Sequence, residues 1–292
     1  MRISFAVGTA GDIKVPARPD TSMGFFGRLR TGLALARGSL SVLRDHPHLL
    51  WFPALGGLAG LAFLGTLFGS VFLLGDVEES PLLYAALFVA YVGETFLAAF
   101  FTAGLMYATR EAFHGETPSV RAGLAAAWRH KWQLLTWAVI AAVVGVIIRA
   151  IEESNETAGR LIAVVFGLAW GVITYFVVPV VVFEDTSIRG MFSRSGGLVK
   201  EVWGESLGSE AGVGIVTFLL VLVGVGVTAV VFFLVPAGSA AGLGVVIAVG
   251  AVAILGALLI GETLSGVAKT AVYVYATEDE SPTYFSHVKF GR

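Results

Sequence analysis

Two stretches decide the reading of this chain. GETFLAAFFTAGLMYATRE runs from Gly93 to Glu111, and GETLSGVAKTAVYVYATED runs from Gly261 to Asp279. Aligned without a gap, Gly93/Gly261, Glu94/Glu262, Thr95/Thr263, Thr102/Thr270, Ala103/Ala271, Tyr107/Tyr275, Ala108/Ala276 and Thr109/Thr277 are identical. Shared apolar composition accounts for the Ala and Gly matches. It does not place Glu, three Thr and Tyr in one register. The two segments therefore read as copies of an internal duplication, each with a carboxylate inside an apolar run.

The composition around them says where such carboxylates sit. Hydrophobic residues make up 56% of the 292 and charged residues 14%, with a mean hydropathy of +0.83; soluble domains carry about 25% charged residues. So much apolar surface has to face lipid or other membrane helices. There is no cysteine, which excludes disulfides, thiolate zinc sites, iron–sulfur clusters and a Cys nucleophile. Arg greatly outnumbers Lys, and Gly, Ala and Val dominate, as in a GC-rich prokaryotic genome.

Working outward from the signatures, six apolar runs have the ~20 residues needed to cross ~30 Å of hydrocarbon. They lie at about 48–75, 82–108, 134–151, 160–183, 212–235 and 241–277. The expected fold is an all-α, polytopic transmembrane helical bundle. Residues 1–22 read as a flexible cytosolic leader, unless translation starts at Met23, and 23–292 as a single membrane domain. Acidic or polar turns at Gly75–Pro81, Glu152–Gly159 and Pro236–Ala240 link the paired spans, and 278–292 forms a cytosolic tail.

Three amphipathic segments accompany the spans. In 24–45, Phe26, Leu29, Leu33, Ala36, Leu40 and Leu43 recur at helical spacing, with Arg30, Arg37 and Arg44 along one border. That pattern suits a helix lying in the membrane interface with its Arg heads on phosphates; a helix packed on protein would carry it too. In 117–132, Thr117 reads as the cap with Pro118 at the first helical position, and Trp128-Arg129-His130-Lys131-Trp132 as a headgroup-level anchor. The third, 186–203, runs through Ile188, Phe192, Leu198, Val199 and Val202 and closes at Trp203-Gly204-Glu205.

Basic residues fix the expected orientation. Arg2, Lys14, Arg18, Arg28, Arg30, Arg37 and Arg44 precede the first span, and Arg110, Arg121, Arg129 and Lys131 follow the second. Arg189, Arg194 and Lys200 follow the fourth, and Lys289 and Arg292 follow the sixth; the other side holds only Arg149 and Arg160. The positive-inside rule then puts both termini in the cytoplasm, in a cytoplasmic membrane. The chain reads as three units of one plan, each an amphipathic helix followed by a helical pair, with Trp51, Trp132 and Trp203 near the start of each pair. The middle unit lacks the intramembrane Glu: its second helix ends in Phe183-Glu184-Asp185 where the others end in Thr109-Arg110-Glu111 and Thr277-Glu278-Asp279. Sites in repeated membrane proteins tend to lie at repeat interfaces.

The candidate polar site is Glu94 and Glu262 with Thr95, Thr263 and Lys269. Each Glu lies sixteen residues before the end of its segment, ~24 Å along a helix, so both are expected at a similar depth near the membrane centre. A carboxylate there is protonated, paired or facing water. It is either a proton or cation site or a hydrogen-bonding anchor between helices. Glu262, Gly266, Lys269 and Tyr273 share a face that could line an aqueous path, although Lys269 could equally snorkel. Thr at seven-residue intervals marks a helix seam. Arg149 and Glu153 read as a surface pair. Arg30, Arg37, Arg44, Arg129, Lys131, Arg194 and Lys200 are the candidate lipid-headgroup contacts. His46, His48, His114, His130 and His287 form no metal-ligand spacing, and no catalytic triad or nucleotide-binding motif stands in the context it requires.

One resemblance can be placed on particular residues. Trp51-Phe52-Pro53, Trp132-Gln133-Leu134-Leu135-Thr136-Trp137, Pro179-Val180-Val181-Val182-Phe183-Glu184-Asp185, the run from Arg194-Ser195-Gly196-Gly197 to Trp203-Gly204-Glu205, and Tyr275-Ala276-Thr277-Glu278 carry it. With them the chain after Met23 resembles a six-helix membrane family of archaea and bacteria defined as a domain of unknown function. That family is similar in plan to other prokaryotic proteins with a proline, an acidic residue and an Arg-Ser step after the fourth span. The resemblance implies an integral cytoplasmic-membrane protein, supplies no catalytic residue, and with this composition suits a haloarchaeal source. Three roles follow in order: a structural or regulatory membrane protein, a proton- or cation-coupled transporter or channel using Glu94 and Glu262, and, more distantly, a lipid-acting membrane enzyme. The expected partners are membrane lipids, further copies of the chain or other membrane proteins; no cofactor, metal or nucleic acid is expected.

Overall fold

The computed structural model describes residues 25–73, 81–154, 157–235, 239–278, 282–286 and 288. The expected leader, the start at Met23, most of the Gly75–Pro81 and Pro236–Ala240 turns, and most of the tail with His287, Lys289 and Arg292 lie outside the described residues. In chain order the elements are α1 (Phe25–Asp45), a 3-10 turn (Pro47–Leu50), α2 (Trp51–Leu73), α3 (Pro81–Phe113), α4 (Val120–Arg129) and α5 (Lys131–Ser154). Then come α6 (Ala158–Thr174), α7 (Val177–Glu184), α8 (Ile188–Glu201), α9 (Trp203–Leu234), α10 (Ala240–Glu278) and a last 3-10 turn (Thr283–Phe285).

Six helical stretches are long and apolar enough to cross a membrane: Pro47–Leu73, Pro81–Phe113, Lys131–Ser154, Ala158–Glu184, Glu210–Leu234 and Ala240–Glu278. Only 6–22% of the most apolar window of each is buried, so most of that surface points outward. Helices suit such surroundings because every backbone group is satisfied within the segment. The chain is built as a multi-pass membrane protein.

The core lies where α3, α7 and α10 converge. Ala99, Ala103, Leu105 and Ala108 of α3 meet Val177, Val180 and Val181 of α7 and Val267, Ala271, Val272 and Tyr273 of α10. Around them the short helices pack in sequence: α4 lies on α3, α8 on α6 and α7, and α1 on α9 and α10. Two of these contacts are backbone to backbone. Gly32 of α1 meets Gly208 and Gly212 of α9, a small-xxx-small spacing, and Gly104 of α3 meets Gly123 of α4 beneath the Phe52 ring.

Four details differ from the sequence reading. The fourth span is two helices, because Pro179 has no N–H to continue the ladder through Tyr175 and its ring crowds the preceding turn. The freed N–H of Phe176 donates instead to Ser195 Oγ on α8 at 3.0 Å, inside the protein. Asp185, left-handed at φ 43°, ends α7. The second amphipathic helix is capped by Ser119, which is extended and accepts from Ala122 N–H at 3.4 Å, so Pro118 stands outside the helix and Thr117 is not the cap. Trp203-Gly204-Glu205 opens α9 and does not close the preceding helix; Val202, at φ −122° and ψ 37°, makes the break. Finally, α1 buries Leu35, Ala36, Ser39, Val42 and Leu43 against protein and leaves Leu33 and Leu40 exposed, so the anticipated stripe is divided between two faces.

Two substitutions test this packing. Gly212→Val drives a side chain into the Gly32 backbone and should destabilise the α1–α9 contact by about 1–3 kcal/mol, whereas Gly214→Val points into open space and should be silent; the thermal midpoint of detergent-solubilised protein reads both. Ser195→Ala strands the Phe176 N–H and should cost about 1–3 kcal/mol by the same measurement.

Candidate functional site

Glu94 and Glu262 line one groove. Its walls come from α2, α3 and α10, and its volume is about 530 Å³. Glu94 projects from α3 onto α2 at Gly60, where a Cβ would stand 2.8 Å from Oε2. Its Oε1 is buried and has no hydrogen-bond partner. Glu262 is exposed on the same groove. Thr102 is the other hydroxyl or charged side chain on the lining; the rest is apolar backbone-rich wall and aliphatic or aromatic side chains. Leu58, Leu61, Leu255 and Leu258 on its margin are all exposed, so the groove opens sideways, towards the zone that lipid would occupy.

One contact between α3 and α10 departs from the register of the repeat. Leu105, eleven residues after Glu94, packs on Gly266, four residues after Glu262. That contact lies seven residues off the alignment, whereas Arg110 and Glu278, equivalent in the two copies, pair directly. Leu105 comes this close to α10 because Gly266 carries no side chain.

The other residues of the candidate set are not in the groove. Lys269 turns to α9, where its Nζ stands 3.4 Å from Glu210 Oε1 and 4.5 Å from the centre of the Tyr175 ring. An aqueous path along Glu262, Gly266, Lys269 and Tyr273 is therefore not what this face makes: Gly266 is covered by Leu105, and Tyr273 is hydrogen-bonded elsewhere. Thr263 and Thr270 are fully buried in the helix seam, but their hydroxyls donate to their own carbonyls, Leu259 and Gly266, and not across it. Thr95 is half-buried.

A second polar constellation closes the basic end of the core. Arg110 donates from Nε and Nη2 to Glu278 Oε1 at 3.0 and 2.6 Å, and His114 Nε2 lies 3.2 Å from Glu278 Oε2. The Arg110 guanidinium also sits 5.0 Å over the Phe183 ring. Next to it, Tyr273 Oη donates to Glu184 Oε1 at 2.8 Å, and Arg194 Nε donates to both Glu184 oxygens at 2.9 and 3.0 Å. The hydrogen bond to Glu184 raises the Arg194 pKa above its ordinary value. Arg194 is thus tied to Glu184 although exposed, and Arg30, Arg37, Arg44, Arg129 and Lys200 are exposed as well. Lys131 stacks over Trp128 and Trp132, 4.5 and 5.9 Å from their ring centres. Arg149 and Glu153 pair at 2.9 Å on the opposite end, both exposed.

Sequence reading took Arg110, Glu184 and Glu278 as ends of helices and missed that Arg110 meets Glu278 and that Arg194 and Tyr273 meet Glu184. The signal was present. They occupy the same position of the three aligned segment ends, and a basic residue at one end, Arg110, faces its acidic equivalent, Glu278, at another. Among the described residues, no three His, Asp or Glu side chains gather as a metal site would require.

No curated protein and no solved structure matches the chain. A family model does match, described as "Family of unknown function (DUF6159)", over residues 82–283. The match runs from the start of α3 to the last 3-10 turn and takes in both Gly-Glu-Thr signatures, the groove's α3 and α10 walls, and the whole Arg110–Glu184–Glu278 constellation, but not α1 or α2. The chain belongs to DUF6159.

Proposed function

We propose that this protein is a structural or regulatory component of the cytoplasmic membrane, with both termini in the cytoplasm, acting through helix packing and through contacts with anionic lipids and partner proteins rather than by catalysis. The observation that carries this reading is the grouping of exposed Arg30, Arg37, Arg44, Arg129 and Lys200 with exposed Trp128 and Trp132 at one end of the bundle. Basic and aromatic side chains so placed suit the headgroup layer of a cytoplasmic leaflet. The three-unit plan is supported by the order of packing: each short helix lies on the helical pair of the preceding unit, and α1 closes the ring on α9 and α10. A second copy of the chain or another membrane protein would meet the apolar flanks of the bundle.

A second reading has its own observation. Glu94 and Glu262 line one groove, and a buried carboxylate oxygen without a partner is what a proton or cation site needs. In this reading the protein is a proton- or cation-coupled carrier, and the lateral groove holds the cation.

Two experiments test these readings. Because the chain has no native cysteine, single cysteines report topology cleanly. Cysteine at Arg121 should react with an impermeant maleimide only after the cytoplasmic face is opened, and cysteine at Glu153 should react in intact cells; the reverse pattern would turn the protein over. In proteoliposomes, wild-type protein and the Glu94→Gln/Glu262→Gln pair should show the same proton and alkali-cation flux. A flux that the double substitution abolishes, with folding intact, would replace the structural reading by the carrier.

A further inference from the structure

We infer that the cleft between α2, α3 and α4 is a specific site for one anionic phospholipid, with an acyl chain in its apolar trough and the phosphate at Arg129. The inference rests on the reading of the basic end as a lipid-contacting surface and narrows it to one place. The cleft has a volume of about 1000 Å³, at the upper end of what small-ligand sites offer. It exists because small residues face one another across it: Ala59 and Ala62 on α2, Ala122 and Ala125 on α4. The backbone contact between Gly104 and Gly123 holds α4 down on α3, so the trough is a product of the fold and not of a loose helix.

Its two ends differ chemically. The deep part, towards Ala62 and Phe100, is wholly apolar and suits a hydrocarbon chain. Ala62 lies eleven residues into α2, ~16 Å from the basic end of that helix. The shallow part carries Tyr107, Trp128 and Arg129. Arg129 is exposed and forms no ion pair among the described residues. Trp128 presents its ring edge-on to Phe100, with centroids 6.3 Å apart, and holds Lys131 over its face at 4.5 Å. A second cation therefore stands beside the mouth. Apolar trough, aromatic collar and unpaired guanidinium follow one another from inside to outside, in the order of chain, glycerol and phosphate in a phospholipid. A zwitterionic lipid would bring its own cation to the Arg129–Lys131 pair, so the charge favours a net anionic headgroup.

The test titrates purified protein in detergent with phosphatidylglycerol or phosphatidylcholine and reads the first bound lipid by native mass spectrometry. Wild type should bind phosphatidylglycerol about tenfold more tightly or better, because each basic residue near the surface is worth ~1 kcal/mol. Arg129→Gln should weaken phosphatidylglycerol about fivefold and leave phosphatidylcholine unchanged. Arg121→Gln, exposed on the same helix but outside the cleft, should change neither. Filling the trough with Ala62→Phe and Ala125→Leu, both at exposed positions that can accept the bulk, should lower first-site binding of both lipids about tenfold. Equal losses in Arg121→Gln and Arg129→Gln would mean a diffuse charged rim and would overturn the site. So would undiminished binding in the filled variant. If wild type shows no preference for phosphatidylglycerol, the lipid-contacting reading of the basic end fails as well.

Discussion

Three helix ends carry charge to the edge of one apolar core, and the bundle depends on how those charges are met. Arg110, Glu184 and Glu278 close α3, α7 and α10 where these helices converge. Placing any one of them there alone would leave a partly desolvated charge without a partner. Together they balance. Arg110 takes Glu278, while Glu184 takes Tyr273 from α10 and Arg194 from α8. Arg110–Glu278 and Tyr273–Glu184 join elements distant in sequence, while Arg194–Glu184 joins the consecutive helices α7 and α8. Ion pairs at this exposure add little net stability. Their weight lies in excluding packings that would leave Glu184 or Arg110 alone against apolar neighbours. The same logic operates at Phe176, whose N–H is released by Pro179 and then met by Ser195. The helix break is tolerated because α8 supplies an acceptor for that N–H.

The glycine of each Gly-Glu-Thr signature has a packing role that is the same in both copies. Gly93 lets the Phe63 ring of α2 come against α3, and Gly261 lets Thr217 of α9 come against α10. In each case the neighbour is the other helix of the same pair, so the glycine closes a hairpin. The Glu one residue later does not repeat in this way. Glu94 falls against Gly60 of α2 and loses access on one oxygen, whereas Glu262 stays exposed. Identical residues therefore occupy different environments, because a duplicated helix inherits its own sequence but not its neighbours.

What was legible in the sequence follows from the range of the forces involved. The six spans were readable because crossing apolar surroundings imposes length and composition locally, on residues such as 134–151 or 212–235. Helix boundaries were less so. The break at Tyr175–Phe176 was signalled by Pro179, but the acceptor at Ser195 makes it tolerable, and that partner is nineteen residues away. The cap at Ser119 competed with an equally plausible Thr117-Pro118, which only backbone conformation decides. For the candidate site, the sequence paired Glu94 with Glu262 and the structure puts both on one groove. It also suggested equal depth, which assumes that the copies pack in register, as Arg110 and Glu278 do at their ends. Leu105 on Gly266 departs from that register, in a side-chain contact that no repeat pattern encodes. Lys269 was ambiguous for a related reason: its partners, Glu210 and Tyr175, come from other helices.

The position of α2 brings these points together. It forms a wall of the carboxylate groove on one side and of the Arg129 cleft on the other, and Leu58 of α2 and Phe101 of α3 belong to both linings. It is held mainly by α3 and presents Gly57, Gly65 and Gly69 to open space, so little else fixes it. A helix in that situation derives its position from whatever fills the spaces beside it. Towards α10 the space contains an unpartnered carboxylate oxygen, and towards α4 it ends in an unpaired guanidinium. The two flanks of one weakly packed helix ask for different occupants, and an occupant on either flank adds contacts that α2 otherwise lacks. In a bundle whose central helices are locked by Arg110, Glu184 and Glu278, α2 is thus the element whose packing is left for the membrane to complete.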